Sequence, residues 1–471
     1  MLNKNIVNTV GTRLAVSASD YKNIKERKIM GKKIIVAGGG HGGITAGMLL
    51  AKNGFDVTVY EKNARDNMGH DWTDIFDKKG FTAIGLPVPP KEMYNLKHDM
   101  TFYGPTMKTA LNQHTPEDQL EIQMERRDIY SYIINAAEEA GVKFVFDCAV
   151  EAPILFGNRV VGIKTADGEK FADLVIDACG MHSPVRKNLP KSLGIQNDSI
   201  EYEQFYVYRA FFNKTAEVED MNKFKVLMLH QNKLGITWIA TEENTTDVLI
   251  GRFKEFDMDE VNATIDSLRK DNPSIGTEIV RGGQFVHIPV RQPLGVLVAD
   301  GYAAIGDSAF MTVPIIGSGI ANSFKASKIL ADAVIGDKDG AYSAESLWAY
   351  QTGFYKTLGS GLAPLAAVKL MLTRLEEGEL DYIFDNGILN ADDMTIGADD
   401  TNLASMLGGM SPADIKVKLT GLINNKVILK KVIRMGLELV RATIVTGAMP
   451  KTYNRKAVLK WVKSYNSCFK H

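Results

Sequence analysis

Eleven residues, AGGGHGGITAG from Ala37 to Gly47, contain six glycines and decide how the fold of this chain is read. They follow the apolar run KKIIV and precede FDVTVYE, whose alternating apolar residues are typical of a strand. In between, ITAGMLLAKNG has apolar residues at helical spacing and ends at Gly54. This order predicts a strand, a glycine-rich turn, a helix and a second strand, which is the βαβ unit of parallel sheets.

Three glycines of this stretch, Gly38, Gly40 and Gly43, match the spacing Gly-x-Gly-x-x-Gly. In such a loop the first glycine allows a tight turn, and the second lets a pyrophosphate approach the backbone. The third lets the helix pack closely on the strand. The phosphates then rest on the amide groups at the helix N-terminus, where the helix dipole favours negative charge. The spacing therefore predicts a dinucleotide site.

Four neighbouring residues complete the predicted dinucleotide site. Glu61 ends the second strand, where an acidic side chain accepts hydrogen bonds from ribose hydroxyl groups and repels a 2′-phosphate. Lys62 follows it directly, and His41 and Gly42 lie inside the phosphate loop. Because this pattern does not say which dinucleotide binds, other segments of the chain must decide.

The composition limits the class of protein. Of 471 residues, 45% are apolar and 24% are charged, as in soluble globular proteins with two or three lobes. The formal net charge of −1 argues against binding to nucleic acid. The three cysteines are too few and too scattered for a disulfide framework, and no metal site is predicted. These few cysteines fit a reducing, cytoplasmic setting, and no apolar run is long enough to predict a membrane span or a signal peptide.

Three later segments add elements to the predicted sheet. QMERRDIYSYIINAAEEAG reads as an amphipathic helix that is entered through Arg126 and is followed by a strand. Leu174 to Ile176 form a buried strand that ends in a turn of small residues. GYAAIGDSAFMTVPIIGSGIANSF predicts a strand, an acidic turn at Asp307, a loop around Pro314 and a helix that begins near Gly319.

In this order, these segments resemble the FAD-dependent oxidoreductases of the aromatic-hydroxylase (p-hydroxybenzoate hydroxylase-like) fold, and they are most similar to its geranylgeranyl reductase family. The resemblance covers about Lys32 to Trp348 and implies FAD as the cofactor. In that family the residue matching Asp307 holds the ribityl chain, and the residue matching Arg126 lies beside the FAD. The loop that runs beneath the flavin ring matches Pro314, Gly317, Gly319 and Ile320.

The resemblance also implies the architecture. We expect an α/β fold with a Rossmann-like FAD-binding domain of the GR2 type, an inserted β-sheet substrate domain and a C-terminal helical region. The expected boundaries are a flexible extension over residues 1–30, the FAD-binding domain over 31–195 and 291–343, the substrate domain over 196–290 and the helical domain over 344–471.

Two departures from the family pattern leave the reaction open. The turn after Ile176 reads Cys179-Gly180 where the aromatic hydroxylases have Asp-Gly, and the absent carboxylate puts direct reduction by NADPH in doubt. Gly180 is still expected beside the cofactor. The stretch NKLGITWIAT keeps Gly235 and Trp238 of a reductase signature but lacks its Tyr and its Phe-Pro. Trp238 is therefore expected either to contact the substrate or to fill the core.

His70 and Asp71 are the strongest candidates for acid–base chemistry. They lie in NMGHDWTDIF, which follows Glu61 where the chain of this family passes near the flavin ring. A polar cluster at that place could protonate or bind a substrate. The alternative is a solvated loop without a chemical role.

The amino-acid composition of the chain changes after Ala344, where the C-terminal region begins. Residues from Ile415 onward carry many more lysines and arginines than acids. The stretch IKVKLTGLINNKVILKKVIRMGLELVRATIV has apolar residues at helical spacing and basic residues on another face. Two interpretations remain open. These helices either pack on the body with a solvated basic face or rest on an anionic lipid surface.

The resemblance implies one leading function and two alternatives. We expect an FAD-dependent reductase that delivers hydride from flavin N5 to a carbon–carbon double bond of a largely apolar, lipid-like substrate. The alternatives are a monooxygenase that acts through a flavin hydroperoxide and a flavin- or lipid-binding protein without turnover. NADH, NADPH or ferredoxin would supply the electrons. The expected location is cytoplasmic, with peripheral contact at the inner membrane face as an alternative.

Overall fold

The glycine-rich stretch lies at the centre of a parallel sheet in the computed structural model, which describes residues 32–198, 203–394 and 411–469. The extension predicted over residues 1–30 lies outside the described residues. With strands numbered in chain order, the sheet runs β18 (Val298–Ala299), β19 (Tyr302–Ala304), β12 (Leu174–Asp177), β1 (Lys33–Ala37), β2 (Asp56–Tyr60), β8 (Lys143–Val145).

Strand β1 is the central strand of this sheet. It pairs in parallel with both β2 and β12, so that Val36 lies opposite Val59 and Ile176. Ile34, Ile35 and Val36 are all fully buried. A continuous apolar run of this kind is typical of a parallel strand that is covered on both faces.

Helices in the described residues number twelve, and they occur in chain order as α1 (His41–Ala51), α2 (Lys79–Ala83), α3 (Arg126–Glu139), α4 (Pro184–Lys187), α5 (Met258–Asp271), α6 (Ile320–Gly336), α7 (Trp348–Phe354), α8 (Ser360–Leu372), α9 (Glu379–Asp385), α10 (Pro412–Asn424), α11 (Lys426–Gly447) and α12 (Arg455–Asn466). A π-helical turn, Tyr355–Gly359, joins α7 to α8. Helix α1 packs against α3 and α6 beside the parallel sheet.

A second, larger sheet forms the middle of the chain. Its order is β17 (Ile275–Pro289), β13 (Gln204–Lys214), β16 (Thr245–Arg252), β15 (Gly235–Thr241), β14 (Phe224–Met228), β5 (Thr101–Tyr103), β6 (Ala110–Asn112). Neighbouring strands are antiparallel except for β14 and β5. Val261 and Ile265 of α5 pack on one face, against Tyr208 and Ile250. Asp257 caps α5 by accepting a hydrogen bond from the amide of Glu260.

Two small antiparallel sheets connect these parts. One consists of β9 (Val150–Phe156), β10 (Arg159–Thr165) and β11 (Gly168–Phe171), and the other of β3 (Thr73–Phe76), β4 (Tyr94–Leu96) and β7 (Ile122–Glu125). Strand β7 runs directly into α3 and pairs with β3, so that Asp74 lies opposite Met124. This pairing brings the loop after β2 to the N-terminus of α3.

Helices α7 to α12 form the C-terminal region. Helix α11 packs along α8, and Tyr465 of α12 donates a hydrogen bond to the carbonyl of Pro293 at 3.0 Å. In the described ranges, no helix combines the length and the apolar character that crossing a bilayer requires. The predicted α/β fold, with an additional sheet and a helical C-terminal region, is confirmed.

Candidate functional site

A cavity of about 640 Å³ lies at the carboxyl end of β1, between the glycine-rich loop, the N-terminus of α6 and the end of β17. Segments that are far apart in the sequence therefore meet at one place. The predicted site residues that line it are Gly38, Gly40, His41, Gly42, Glu61, Lys62, His70, Arg126, Gly180, Asp307, Gly317, Gly319 and Ile320.

The glycine-rich loop has no room for side chains. Gly38 has a φ of +85°, a conformation that other residues rarely adopt. A Cβ atom at Gly40 would lie 2.9 Å from the carbonyl oxygen of Ala178, and one at Gly43 would lie 2.5 Å from the Ala178 Cβ. The cavity side of the loop is therefore bare backbone. Gly40 is the N-cap of α1 and makes no side-chain hydrogen bond. The first amide groups of this helix therefore have no capping side chain and can donate to an anion.

Glu61 connects the glycine-rich loop to the segment that follows β2. Its carboxylate accepts a hydrogen bond from the Gly39 amide at 2.7 Å and another from the Asn63 amide at 2.9 Å. The residue is buried and lines the cavity at the end of β2, with Lys62 beside it. Glu61 thus places a carboxylate next to the bare loop.

Arg126, which lines the cavity, forms a bidentate ion pair with Asp74. Arg126 Nε and Nη2 donate to the two carboxylate oxygens of Asp74, each at 2.5 Å. Burial opposes ionisation of Asp74, but the adjacent Arg126 guanidinium outweighs it and lowers the pKa of Asp74. Asp74 also raises the pKa of Arg126 against the effect of burial. Both groups are therefore charged at neutral pH.

His41 and His70 line the same cavity as neutral imidazoles. Burial and then the Arg126 charge lower the pKa of His41 to about 3 and that of His70 to about 4. The His41 ring stacks on Tyr130 with 4.3 Å between ring centroids. Its Nε2 atom has no hydrogen-bond partner among the described residues. At pH 7 neither histidine adds positive charge to the cavity.

We expect His41 to make the FAD-free protein less stable in acid. Between pH 6.5 and about 3 the unfolded chain binds a proton at this residue and the folded chain does not, so the free energy of unfolding falls as pH falls. The slope is about 1.4 kcal/mol per pH unit for one proton. Urea unfolding at about pH 7 and pH 5.5 measures it.

In a His41→Gln variant, the slope of the free energy of unfolding with pH should be smaller by about 1.4 kcal/mol per pH unit. The exposed His114 supplies the control for replacing a histidine, and a His114→Gln protein should be as stable as the wild type at pH 7. An unchanged slope in the His41→Gln protein would contradict the neutral state of the half-buried His41.

Asp307 lies on the opposite side of the cavity, in the turn after β19. Thr312 Oγ1 donates to its carboxylate at 3.0 Å. The surrounding protein desolvates this carboxyl group and raises its pKa, although the hydrogen bond from Thr312 and the charge of Arg126 favour ionisation. Helix α6 begins just beyond, with Gly319 as an N-cap that makes no side-chain hydrogen bond.

Four predicted site residues do not line the cavity. Gly43 faces β1, and Pro314 is buried in the loop before α6. Asp71 lies 3.7 Å from Arg281 and accepts the Gly282 amide at 3.3 Å. Trp238 Nε1 donates to Asp247 at 3.3 Å within the large sheet.

The cavity wall also contains residues outside the predicted set of site residues. Trp72 is 5% exposed and lies between two guanidinium groups, with Arg126 at 5.0 Å and Arg209 at 5.4 Å from its ring centroid. Val286 and Ile288 of β17 face the cavity as well. Trp72 belongs to the polar cluster predicted around His70 and Asp71, and the intervening His287 lines the cavity together with Val286 and Ile288.

The turn with the unusual cysteine is held by a buried carboxylate. Asp177 accepts hydrogen bonds from Ser183 at 2.6 Å, Tyr302 at 2.9 Å and Ser308 at 3.0 Å. Burial, and then the charge of Asp177, raise the pKa of the Cys179 thiol well above its usual value. Cys179 is therefore a protonated thiol beside the cavity, which is a poor nucleophile.

Comparisons with known proteins agree with this geometry. A curated digeranylgeranylglycerophospholipid reductase from Sulfolobus acidocaldarius is 22% identical over 379 residues, which cover 77% of this chain and 82% of the relative. A geranylgeranyl bacteriochlorophyll reductase-like structure from Thermoplasma acidophilum matches with a TM-score of 0.66 and 17% identity, over 82% of this chain and 98% of its own.

A third match is the solved structure of a protein described as a monooxygenase. The structure of a probable FAD-dependent monooxygenase from Pseudomonas aeruginosa matches with a TM-score of 0.56 and 19% identity, covering 74% of this chain and 97% of its own. At this identity the likeness shows the fold alone.

The family itself is shown by a sequence model. The FAD binding domain model matches residues 32–340, which include every segment that lines the cavity. The predicted FAD cofactor and the predicted relation to geranylgeranyl reductases are thereby confirmed. This chain belongs to the FAD binding domain family of FAD-dependent oxidoreductases.

Proposed function

We propose that this protein is a reductase that saturates carbon–carbon double bonds in an apolar, lipid-like substrate. Reduced FAD would supply hydride to one carbon of the double bond, and a proton would be added to the other carbon. The observation that carries the proposal is the likeness to digeranylgeranylglycerophospholipid reductase, which extends over 82% of that protein. The cavity supports it, because its bare glycine loop and flanking carboxylates suit a dinucleotide.

The adenosine half of FAD is assigned to the glycine-rich corner. Gly38, Gly40 and Gly42 leave backbone for the pyrophosphate, since a Cβ at Gly40 would already contact the Ala178 carbonyl. Gly43 acts indirectly by letting α1 approach β1. Glu61 is placed to accept hydrogen bonds from the ribose hydroxyl groups, with Lys62 beside it.

The flavin half is assigned to the other end of the cavity. Asp307 would hold the ribityl chain, and Arg126 lies beside it as a charge fixed by Asp74. Gly317, Gly319 and Ile320 bring the N-terminus of α6 to the cavity, where the helix dipole favours negative charge on the pyrimidine end. We assign three further residues to the cofactor site. His41 and Gly180 line the cavity, and Pro314 is buried in the loop before α6.

The substrate is assigned to the wall formed by Trp72, Val286 and Ile288. Of the three residues predicted for chemistry, only His70 lines the cavity, and its neutral imidazole can donate a hydrogen bond at pH 7. We keep His70 as the residue that binds the substrate through this hydrogen bond, and because it carries no imidazolium proton at pH 7, solvent would supply the proton for the second carbon. Asp71 and Trp238 are positioning residues, because Asp71 contacts the β17 backbone and Trp238 contacts Asp247.

The electron donor and the location belong to the same proposal. NADH, NADPH or a ferredoxin would reduce the flavin, and the absence of a carboxylate at Cys179 argues for testing ferredoxin on equal terms. A lipid-like substrate resides in a membrane. We therefore place the protein on the cytoplasmic side, in peripheral contact with the bilayer through its basic C-terminal helices.

Anaerobic turnover tests the reductase directly. The holoprotein, reduced with dithionite, is mixed with digeranylgeranylglycerophospholipid in detergent micelles, and the lipid is analysed by mass spectrometry. We expect the lipid to gain two hydrogen atoms per double bond while the flavin absorbance returns to its oxidised form. Parallel reactions with NADH, NADPH and reduced ferredoxin identify the donor. Unchanged lipid with all donors would contradict the proposal.

Oxygen insertion is the second candidate function, because the fold that this chain shares with a probable FAD-dependent monooxygenase also hosts that chemistry. The same lipid and donors are then tested in air. A product that gains one oxygen atom in air, and no product under anaerobic conditions, would identify a monooxygenase.

A further inference from the structure

Helix α11 carries an apolar stripe on its outward face. Ile433, Leu437, Val440 and Ile444 follow one another at intervals of four, three and four residues, which places them on one side of a helix. Each is between 53% and 68% exposed. A contiguous exposed stripe of large apolar side chains is uncommon on a folded surface and marks an interaction site.

The rest of α11 is firmly placed, so this stripe is a fixed feature of the surface. Ile428, Ala442 and Thr446 on the opposite face are buried, and α11 packs there along α8. Arg374 donates two hydrogen bonds to Glu438, at 2.8 and 3.0 Å. The helix is apolar on two sides, of which one packs on the protein.

Basic side chains lie along the exposed stripe. Lys426, Lys430, Arg434 and Arg441 are exposed residues of α11. Glu438 is the only acid in this helix, and it bonds to Arg374 and also to Arg434 at 2.9 Å. The outward surface of α11 therefore combines apolar side chains with a positive border.

Helix α10 continues the same kind of surface. Ile415, Leu419 and Ile423 recur every four residues and are 44%, 52% and 66% exposed. Lys416 lies next to this row and is exposed too. Each of the two consecutive helices thus exposes an apolar row with a basic residue beside it.

We propose that the outward faces of α10 and α11 form a docking surface for an anionic lipid bilayer. The isoleucine, leucine and valine side chains would enter the boundary between head groups and acyl chains, and the lysines and arginines would face the anionic head groups. A second copy of this chain fits less well, because two positive borders would repel each other. That the docking serves substrate delivery rests on the proposed function, whereas the docking itself does not.

Vesicle co-sedimentation of the full-length holoprotein tests the surface. The vesicles are phosphatidylcholine alone, or phosphatidylcholine with about one third phosphatidylglycerol, because an anionic bilayer attracts each basic residue by about 1 kcal/mol, or about fivefold in affinity. We expect binding to the anionic vesicles and at least tenfold weaker binding to the neutral ones. A Leu437→Ser/Ile444→Ser variant should bind the anionic vesicles at least tenfold more weakly, since each tenfold is about 1.4 kcal/mol.

Two further variants separate charge from apolar contact. Lys426→Gln/Lys430→Gln should weaken anionic binding by roughly fivefold per charge. The matched control is Met221→Ser/Met258→Ser, which removes two apolar side chains that are 48% and 43% exposed on the large-sheet part of the molecule. It should bind as the wild type does.

Three results would overturn the docking surface. They are equal binding by the Leu437→Ser/Ile444→Ser variant, no binding of the wild type to anionic vesicles, and a wild-type dimer that this variant converts to a monomer. The last would mean that the stripe joins two copies. Anaerobic turnover of lipid in detergent is measured on the same variants. The stripe variant should keep its turnover in detergent while its vesicle binding is weakened. For the wild type, vesicle binding without turnover contradicts only the reductase, and turnover without binding to anionic vesicles contradicts only the docking surface.

Discussion

A Gly40→Val protein is expected to bind FAD at least a hundredfold more weakly than the wild type, a loss of about 2.7 kcal/mol or more. The added Cβ would lie 2.9 Å from the Ala178 carbonyl oxygen, so that the loop would have to shift from the position in which its backbone is assigned to the pyrophosphate. Because Ala178 contributes backbone here, it cannot move aside as a flexible side chain would. Titration of the FAD-free protein with FAD, followed by flavin fluorescence, measures the change.

The matched control for this substitution is Gly336→Val. Gly336 ends α6, and no atom lies within 4 Å of a Cβ built there. This variant should fold and bind FAD with wild-type affinity, and circular dichroism should show the same helix content in both variants. A folded Gly40→Val protein that binds FAD as tightly as Gly336→Val would contradict the assignment of the glycine-rich loop to the pyrophosphate.

Removing one partner of the Arg126–Asp74 pair should lower the free energy of unfolding by about 3 kcal/mol or more, because the other charge stays buried and unpaired. The two side chains are 19% and 14% exposed. Asp74→Leu and Arg126→Met should each show this loss, and the double variant should lose less than the sum of the two. Since the pKa of Asp74 is lowered, the stabilisation is complete at neutral pH and decreases as pH falls below the unfolded value of about 3.9.

An exposed pair in the same lobe supplies the control for this cycle. Lys143 and Asp56 are 2.7 Å apart, and their side chains are 68% and 42% exposed. Exposed pairs of this kind contribute about 0 to 1 kcal/mol, so Asp56→Leu and Lys143→Met should change stability little. Urea unfolding of all variants gives the comparison. Additive losses at Arg126 and Asp74 would mean that the two charges do not depend on each other.

The central βαβ unit could be predicted because its signals are local. Glycine spacing, a buried apolar run and a helical repeat all lie within the thirty residues that end at Glu61, and each has one structural meaning in that order. The resemblance then placed Arg126 and Asp307 at the same cavity, where the structure has them. Their roles in holding FAD stay predictions.

The partner of Arg126 could not be predicted from the sequence. Asp74 reaches it because β3 pairs antiparallel with β7, and β7 ends directly before Arg126. Pairing between segments about fifty residues apart depends on the packing of the whole lobe, which no local pattern reports. The neutral state of His41 has the same origin, because burial is set by Tyr130 and the surrounding chain.

The ambiguity at Trp238 has a related cause. A tryptophan in a β-type run is consistent with either face of a sheet until its neighbours are known. Pairing of β15 with β16 sets Trp238 opposite Leu249 and within reach of Asp247, away from the cavity. Val286 and Ile288 reach the cavity wall at the end of β17, where this strand pairs with β13.

The order of strands in the parallel sheet has a consequence for how the protein is made. Strands β1, β2, β8 and β12 leave the ribosome early, but β19 and α6 follow only after the whole large sheet has been synthesised. A nascent chain that stops before Tyr302 lacks both the strand beside β12 and the helix that packs on α1. Under the proposed assignment of the flavin half to Asp307 and α6, cofactor loading has to wait until translation has passed Gly336, and the first half of the chain must meanwhile keep an unpaired strand edge from aggregating.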